Sequence, residues 1–241
     1  MGIAASEDPA PDISIDVLPG GPLIMHGGVE LREGRIRQVG KGYVLNEGRE
    51  FPTSERYALC RCGHSHTTPF CDGTHAAIGF DGRDAAPHTP YADRADVYEG
   101  PVIDLGDDHR CAFVRFCHNE GGDAWTQANN ARSDTEIASA TAAIDGCLAG
   151  RITRRNKQGE WEEPTLEPRV TIIQDPDRNA SAGIAVQGGI PLTGTDAPYE
   201  ARQRYMLCRC GESSEMPFCD ATHVSIHFDD GHLHNTELHH N

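Results

Sequence analysis

Cys60-Arg61-Cys62-Gly63-His64-Ser65-His66-Thr67-Thr68-Pro69-Phe70-Cys71-Asp72-Gly73-Thr74-His75 is the stretch on which the reading of this chain turns. Its soft donors fall as C-x-C-x8-C-x3-H. The same spacing returns from Cys208-Arg209-Cys210 to Cys219-Asp220-Ala221-Thr222-His223. Each copy has a serine three residues after its second cysteine, Ser65 and Ser213, and a proline two before its third, Pro69 and Pro217. Thiolate and imidazole are metal ligands, and two such strings in one chain mark a duplicated metal site.

Outward from these strings the repeat continues. His26-Gly27-Gly28-Val29-Glu30-Leu31 parallels Gln187-Gly188-Gly189-Ile190-Pro191-Leu192, and Glu55-Arg56-Tyr57-Ala58-Leu59 parallels Gln203-Arg204-Tyr205-Met206-Leu207. The exits match as well: Ala77-Ile78-Gly79-Phe80-Asp81 against Ser225-Ile226-His227-Phe228-Asp229. Alternating segments, Ile13-Ser14-Ile15 and Val170-Thr171-Ile172, open the repeats and predict half-buried strands. With 26 Gly and 15 Pro, the chain has many turns and room for few long helices. Each module is therefore expected to be several short strands plus a cysteine-rich loop. A core that thin gains from a metal staple.

Between the repeats lies a different segment with the remaining cysteines, Cys111, Cys117 and Cys147. Ser133-Asp134-Thr135-Glu136 is a capping-box signature, which predicts a helix carrying Ile137, Thr141 and Ile144 on one face. Gly146 should end it, leaving Cys147 just past the helix C-terminus. Trp125 and Trp161 read as packing residues. His232, His234, His239 and His240 form a His-rich end that reads as a solvated tail.

The totals exclude several function classes. The 241 residues carry a formal net charge of -16, with Lys41 and Lys157 the only lysines. No basic patch offers the phosphate neutralisation that nucleic-acid binding needs. No apolar run approaches the ~18 residues of a membrane span. The acidic, Pro-rich start has no basic n-region or apolar stretch of an export signal, and nine cysteines is an odd number for a secreted disulfide framework. The expectation is a cytoplasmic chain with reduced thiols. No Ser/His/Asp set, phosphate loop or dinucleotide fingerprint is present, so no enzyme is expected.

Three thiolates and an imidazole could hold zinc tetrahedrally, but zinc modules usually bring ligands in as C-x2-C knuckles. The 16-residue string instead resembles the CDGSH iron–sulfur family, whose motif is C-x-C-x2-(S/T)-x3-P-x-C-D-G-(S/A/T)-H. The first copy meets every position, including Ser65, Pro69 and Asp72; in the second, Ala221 replaces the Gly. That alanine leaves the ligands intact and puts strain on a turn that glycine normally allows. The resemblance implies two [2Fe–2S] clusters, one on Cys60, Cys62, Cys71 and His75, the other on Cys208, Cys210, Cys219 and His223. Replacing one thiolate by neutral imidazole makes such a cluster less negative than an all-cysteine one, so its potential should exceed the ~-400 mV of plant-type ferredoxins. Glu212 and Glu215 stand in the second loop where His64 and His66 stand in the first, which predicts a lower potential for the second cluster.

Cys111 and Cys117 have the outer spacing of a bacterial C-x2-C-x2-C trio, with Val114 at the central position and Cys147 as the distant ligand. The segment resembles a divergent mono-cluster ferredoxin, which implies a third cluster, [3Fe–4S] because Val114 cannot bind a fourth iron. The alternatives are a [4Fe–4S] cluster with His118 or another non-cysteine ligand, or a metal-free site whose thiols pack as small apolar groups.

The expected fold is α+β, mainly small β modules. The two CDGSH modules, 11–83 and 168–231, should pair as an intramolecular pseudo-dimer, with a ferredoxin-like α+β insertion over 91–158 and tails at 1–10 and 232–241. The expected function is that of a multi-cluster iron–sulfur protein in electron transfer, with a redox partner protein or reductase. Cluster transfer to an apo-iron–sulfur acceptor, or redox and iron sensing, is the alternative; a zinc-stabilised interaction module is the third. A monomer is expected, with a homodimer as the other arrangement.

Overall fold

The computed structural model describes residues 13–234. The 1–10 tail, His239 and His240 lie outside the described residues. The chain is mixed α+β, built of small sheets with few helices.

In the first repeat, β1 (Ser14–Val17) and β2 (Leu23–His26) pair antiparallel. Buried Ile15 and Val17 alternate with half-buried Ser14 and Asp16, as a strand with one covered face requires. A long hairpin follows, β3 (Leu31–Val39) and β4 (Gly42–Phe51). Then β5 (Arg56–Leu59) returns to pair with β2 and leads directly into Cys60. A single helical turn, α1 (Thr74–Ala77), carries His75.

The middle segment opens with α2 (Tyr91–Arg94), followed by β6 (Asp96–Tyr98) and β7 (Asp104–Asp107). The 111–117 loop comes next, then the hairpin β8 (His118–Asn119) with β9 (Gly122–Asp123). Two helices, α3 (Ala124–Asn130) and α4 (Asp134–Asp145), precede β10 (Ile152–Arg155) and β11 (Trp161–Glu162). The strands form one antiparallel sheet in the order β11-β10-β7-β6. The predicted helix is α4: Ser133 caps it, the reciprocal bond to Glu136 is made, and Gly146 ends it. Its buried face is Ala140, Ala143 and Ile144 rather than Ile137 and Thr141, which stay half-buried. Together with Cys147 these follow the i, i+3, i+4, i+7 spacing of one helix stripe.

The second repeat supplies β12 (Arg169–Asp175), β13 (Ala180–Gln187), β14 (Leu192–Thr193), β15 (Arg204–Leu207) and the turn α5 (Thr222–Ser225). The two repeats exchange strands. β14 adds in parallel to β1, with Ile15 opposite Leu192, and β3 adds in parallel to β12, with Val170 opposite Leu31. The sheet orders are β14-β1-β2-β5 and β15-β13-β12-β3-β4. A single apolar core therefore serves both halves: Ile15, Leu23, Met25 and Leu59 pack with Val170, Ile172, Ile184 and Leu207. Neither half could bury that face alone.

One expectation needs correction. β1 is half-buried, but β12 is buried from Val170 to Asp175. It is an interior strand covered on both faces. Val170 and Ile172 face the shared core, while Ile173 packs with Ala112 and Val114 of the middle segment. The tip of the β3–β4 hairpin also reaches that segment, where the Lys41 amide donates to the Glu120 carboxylate at 3.0 Å.

Candidate metal centres

The first ligand loop is an irregular hairpin. The Cys60 amide donates to the Pro69 carbonyl and the Cys71 amide to the Ala58 carbonyl, both at 2.9 Å, with a bridge between Leu59 and Phe70. These bonds bring Cys71 back beside Cys60. The Ser65 hydroxyl donates to the Phe70 carbonyl at 2.6 Å, which fixes the loop width. The Asp72 carboxylate accepts from the amides of His66 (2.8 Å) and Thr74 (3.0 Å), tying the loop to the turn that presents His75. Those bonds hold the Asp72 carboxyl well below the usual carboxylate range.

The second loop repeats this wiring. Cys208 and Cys219 amides donate to Pro217 and Met206 carbonyls, Ser213 donates to the Phe218 carbonyl, and Asp220 accepts from Ser214 and Thr222. Gly73 has φ +90°, and Ala221 is held in the same left-handed region at φ +71°. The turn keeps its shape although the residue has changed, at the ~1–2 kcal/mol that a Cβ costs there.

The donors stand in pairs. Cys60 and Cys62 sulfurs are 3.6 Å apart, and the Cys71 sulfur is 3.3 Å from His75 Nδ1. The second site has the same two distances, 3.6 Å for Cys208 to Cys210 and 3.3 Å for Cys219 to His223 Nδ1. A single zinc needs all four donors about one point at roughly 2.0–2.3 Å. Among the described residues, no three His, Cys, Asp or Glu side chains converge on one metal position. Each donor set is thus divided into two pairs.

The donors also call for positive charge. Burial, followed by the neighbouring Cys60, pushes the Cys62 thiol up to about 11, and burial pushes Cys219 up further. Within the Cys208–Cys210 pair the shared hydrogen bond lowers one thiol and raises the other. Cys62, Cys210 and Cys219 so placed are poor thiolates until a cation replaces their protons. Burial, then Arg209, lowers His223 to about 4, so the imidazole is neutral and ligand-ready at pH 7.

The sites differ in cover. His223 is 2% exposed, whereas His75 is half-buried. The middle segment covers the second site at Cys219, with which its Ala112 and Val114 share one apolar cluster. A bidentate ion pair bolts that loop down, from Arg115 to Asp175 of β12 at 2.6 and 2.9 Å, with Asp175 0% exposed.

Cys111, Cys117 and Cys147 line a single cavity with Val114, Trp125 and Arg151. Burial, then Cys147 and Cys111, pushes the Cys117 thiol up to about 12. Residues His109, Phe113 and Arg115 have positive φ, which curls the loop around the cavity, and the Phe113 amide donates to the Cys111 sulfur at 3.4 Å. Val114 is buried against the second site. His118 Nδ1 lies 3.3 Å from the Cys117 sulfur, the spacing seen for each Cys–His pair. Trp125 packs beneath Arg151 and donates to Asp107 at 3.2 Å, while Trp161 packs edge-on to Tyr91. The described part of the His-rich end is structural: the His232 and Leu233 carbonyls accept from Arg35.

The pattern search missed two pairs of residues that shape the sites. Arg61 and Arg209, between the first two ligands of each site, are 1% and 4% exposed. Gly63 and Gly211 approach the opposite half closely. Their signal was identical placement in both repeats.

Comparison with known proteins agrees with this geometry. The family model described as "iron-binding zinc finger CDGSH type" matches residues 20–76 and again 183–224. The chain carries two CDGSH-type domains in tandem, and these iron-binding domains support an iron–sulfur-binding protein. No curated protein and no solved structure matches it. Among the described residues, no helix is long and apolar enough to cross a membrane.

Proposed function

We propose that the chain is a three-centre electron carrier with no catalytic turnover of its own. Cys60, Cys62, Cys71 and His75 would hold one [2Fe–2S] cluster, and Cys208, Cys210, Cys219 and His223 a second. Cys111, Cys117 and Cys147 would hold a third cluster, [3Fe–4S], in a ferredoxin-like insert. The observation that carries this reading is the identical division of each flanking donor set into a 3.6 Å sulfur pair and a 3.3 Å sulfur–imidazole pair. When bound, such clusters supply one-electron reduction and oxidation.

The protein's part is to hold the donors rigidly. Asp72 and Asp220 fix the histidine turns, Ser65 and Ser213 set the loop widths, and Arg115 with Asp175 fixes the third set against the second. The strand exchange supports reading the halves as an internal pseudo-dimer. The expected partner is a redox protein or reductase in the cytoplasm. Reversible bleaching and recovery of the visible spectrum over several redox cycles, without loss of iron, is the expected result. Iron loss at the first reduction would contradict the carrier reading.

The half-buried position of His75 favours a second reading for the first site alone, transfer of its cluster to an apo-acceptor. With a chelator, iron should then leave in two phases, the first-site phase faster. A single phase would count against it.

A further inference from the structure

Arg61 and Arg209 hold matching places in the two halves, though Arg61 Nη1 also meets the Met216 sulfur at 3.8 Å. Arg61 Nε donates to the Gly21 carbonyl at 2.7 Å, and its Nη2 donates to the carbonyls of Leu18 (2.7 Å) and Gly82 (2.6 Å). Arg209 makes the equivalent bonds to the Ala182 and Ile173 carbonyls. Phe80 and Phe228 pack at 5.3 and 5.4 Å from the two guanidinium carbons. At the third contact the halves part: where the first has the Gly82 carbonyl, the second has the Asp230 carboxylate, which ion-pairs with Arg209. The pair is enclosed, with side chains 4% and 1% exposed. Among the described residues, no carboxylate lies within ion-pair distance of Arg61. Arg61 therefore lacks a direct ion-pair partner, with Asp84 acting on it only at longer range, whereas Arg209 is paired directly.

We propose that Asp230 is a positioning and tuning residue for the second centre: by neutralising Arg209 it keeps the Cys208/Cys210/Cys219/His223 site less easily reduced than an unpaired Arg209 would make it. This rests on the iron–sulfur reading above. A cation near such a site stabilises the extra negative charge of the reduced state, and a paired cation does so far less. Burial keeps the effect from being screened by salt. Arg209 is next to the second donor set, since it stands buried between Cys208 and Cys210 in the chain. Asp230 is otherwise fully engaged, accepting from Gln174, Ser181 and the His232 amide, so an asparagine can keep most of the bonds while removing the charge.

The test is a redox titration of the full chain by electron paramagnetic resonance, with Cys60→Ser used to assign the two [2Fe–2S] signals. Asp230→Asn should shift the second midpoint upward and leave the first in place, and Asp230→Glu, which keeps the charge, should restore it. A purely structural role would lower thermal stability without a selective shift. No shift, or an equal shift of both, in Asp230→Asn would overturn the proposal. Should Asp230→Asn fail to fold, the same titration of Asp230→Ser decides it. Protein with no iron or sulfide would instead sink the iron–sulfur reading itself.

Discussion

Cys62 and Cys210, ligand candidates from opposite repeats, face each other in an antiparallel backbone bridge. The approach is close because the next residue in each half is a glycine. A Cβ on Gly63 would lie 2.3 Å from the Cys210 carbonyl oxygen, and one on Gly211 would lie 2.4 Å from that of Cys62. Both glycines also have positive φ, +78° and +86°. The two metal sites are thereby joined through main chain, and a change at one glycine is felt at both.

Gly63→Ala should therefore destabilise the protein by about 2–4 kcal/mol, combining left-handed strain with a backbone clash, and should reduce metal content at both flanking sites. Gly73→Ala is the control. Nothing lies within 4 Å of its added Cβ, and Ala221 already occupies the equivalent turn. It should cost only about 1–2 kcal/mol. Thermal melts with iron analysis check both, and equal effects would contradict the geometry.

Asp175→Asn removes the charge that Arg115 needs in a buried site. Breaking one partner of such a pair costs about 3–5 kcal/mol. The loss should fall first on the Cys111/Cys117/Cys147 site, because Arg115 lies in that loop. Urea denaturation and per-site spectroscopy check this; unchanged stability would show that the loop is held by its apolar contacts alone.

Val114→Cys places a thiol at the central position of the third site, among residues that line the cavity with all three cysteines. Iron should rise by about one per chain as a fourth metal position is completed. No increase on anaerobic reconstitution would favour either the His118 alternative or an empty middle site.

Asp230 links stability to pH. Burial would raise its pKa, but Arg209 and the surrounding hydrogen bonds outweigh that and hold it at about 2. A group with a depressed folded pKa stabilises above its unfolded value, about 3.9, and loses that contribution as pH falls towards 2. Metal-free protein should lose about 2 kcal/mol of stability over this window, and Asp230→Asn should flatten the loss. Urea titrations at pH 5 and pH 2.5 measure it.

The ligand strings were legible because soft donors at fixed spacing are rare and were repeated, and α4 because its cap is written in four consecutive residues. The duplication was legible, but the strand exchange was not. Leu31 and Leu192 follow matching Gly-Gly turns in both halves, yet nothing local says that each strand pairs with the other half. Complete burial of β12 was likewise hidden, since it depends on Ala112 and Val114 arriving from a distant loop. Gly82 and Asp230 stood in the aligned exits throughout, but their contrast acquires meaning only once Arg61 and Arg209 are seen to point at them.

The central claim is that the donor sets hold iron and sulfide, and the most direct measurement is iron, acid-labile sulfide and zinc per chain in anaerobically purified protein. The account predicts about seven iron and about eight sulfide, from two [2Fe–2S] sites and one [3Fe–4S] site. Stoichiometric zinc without sulfide, in protein never reconstituted or oxidised, would contradict it.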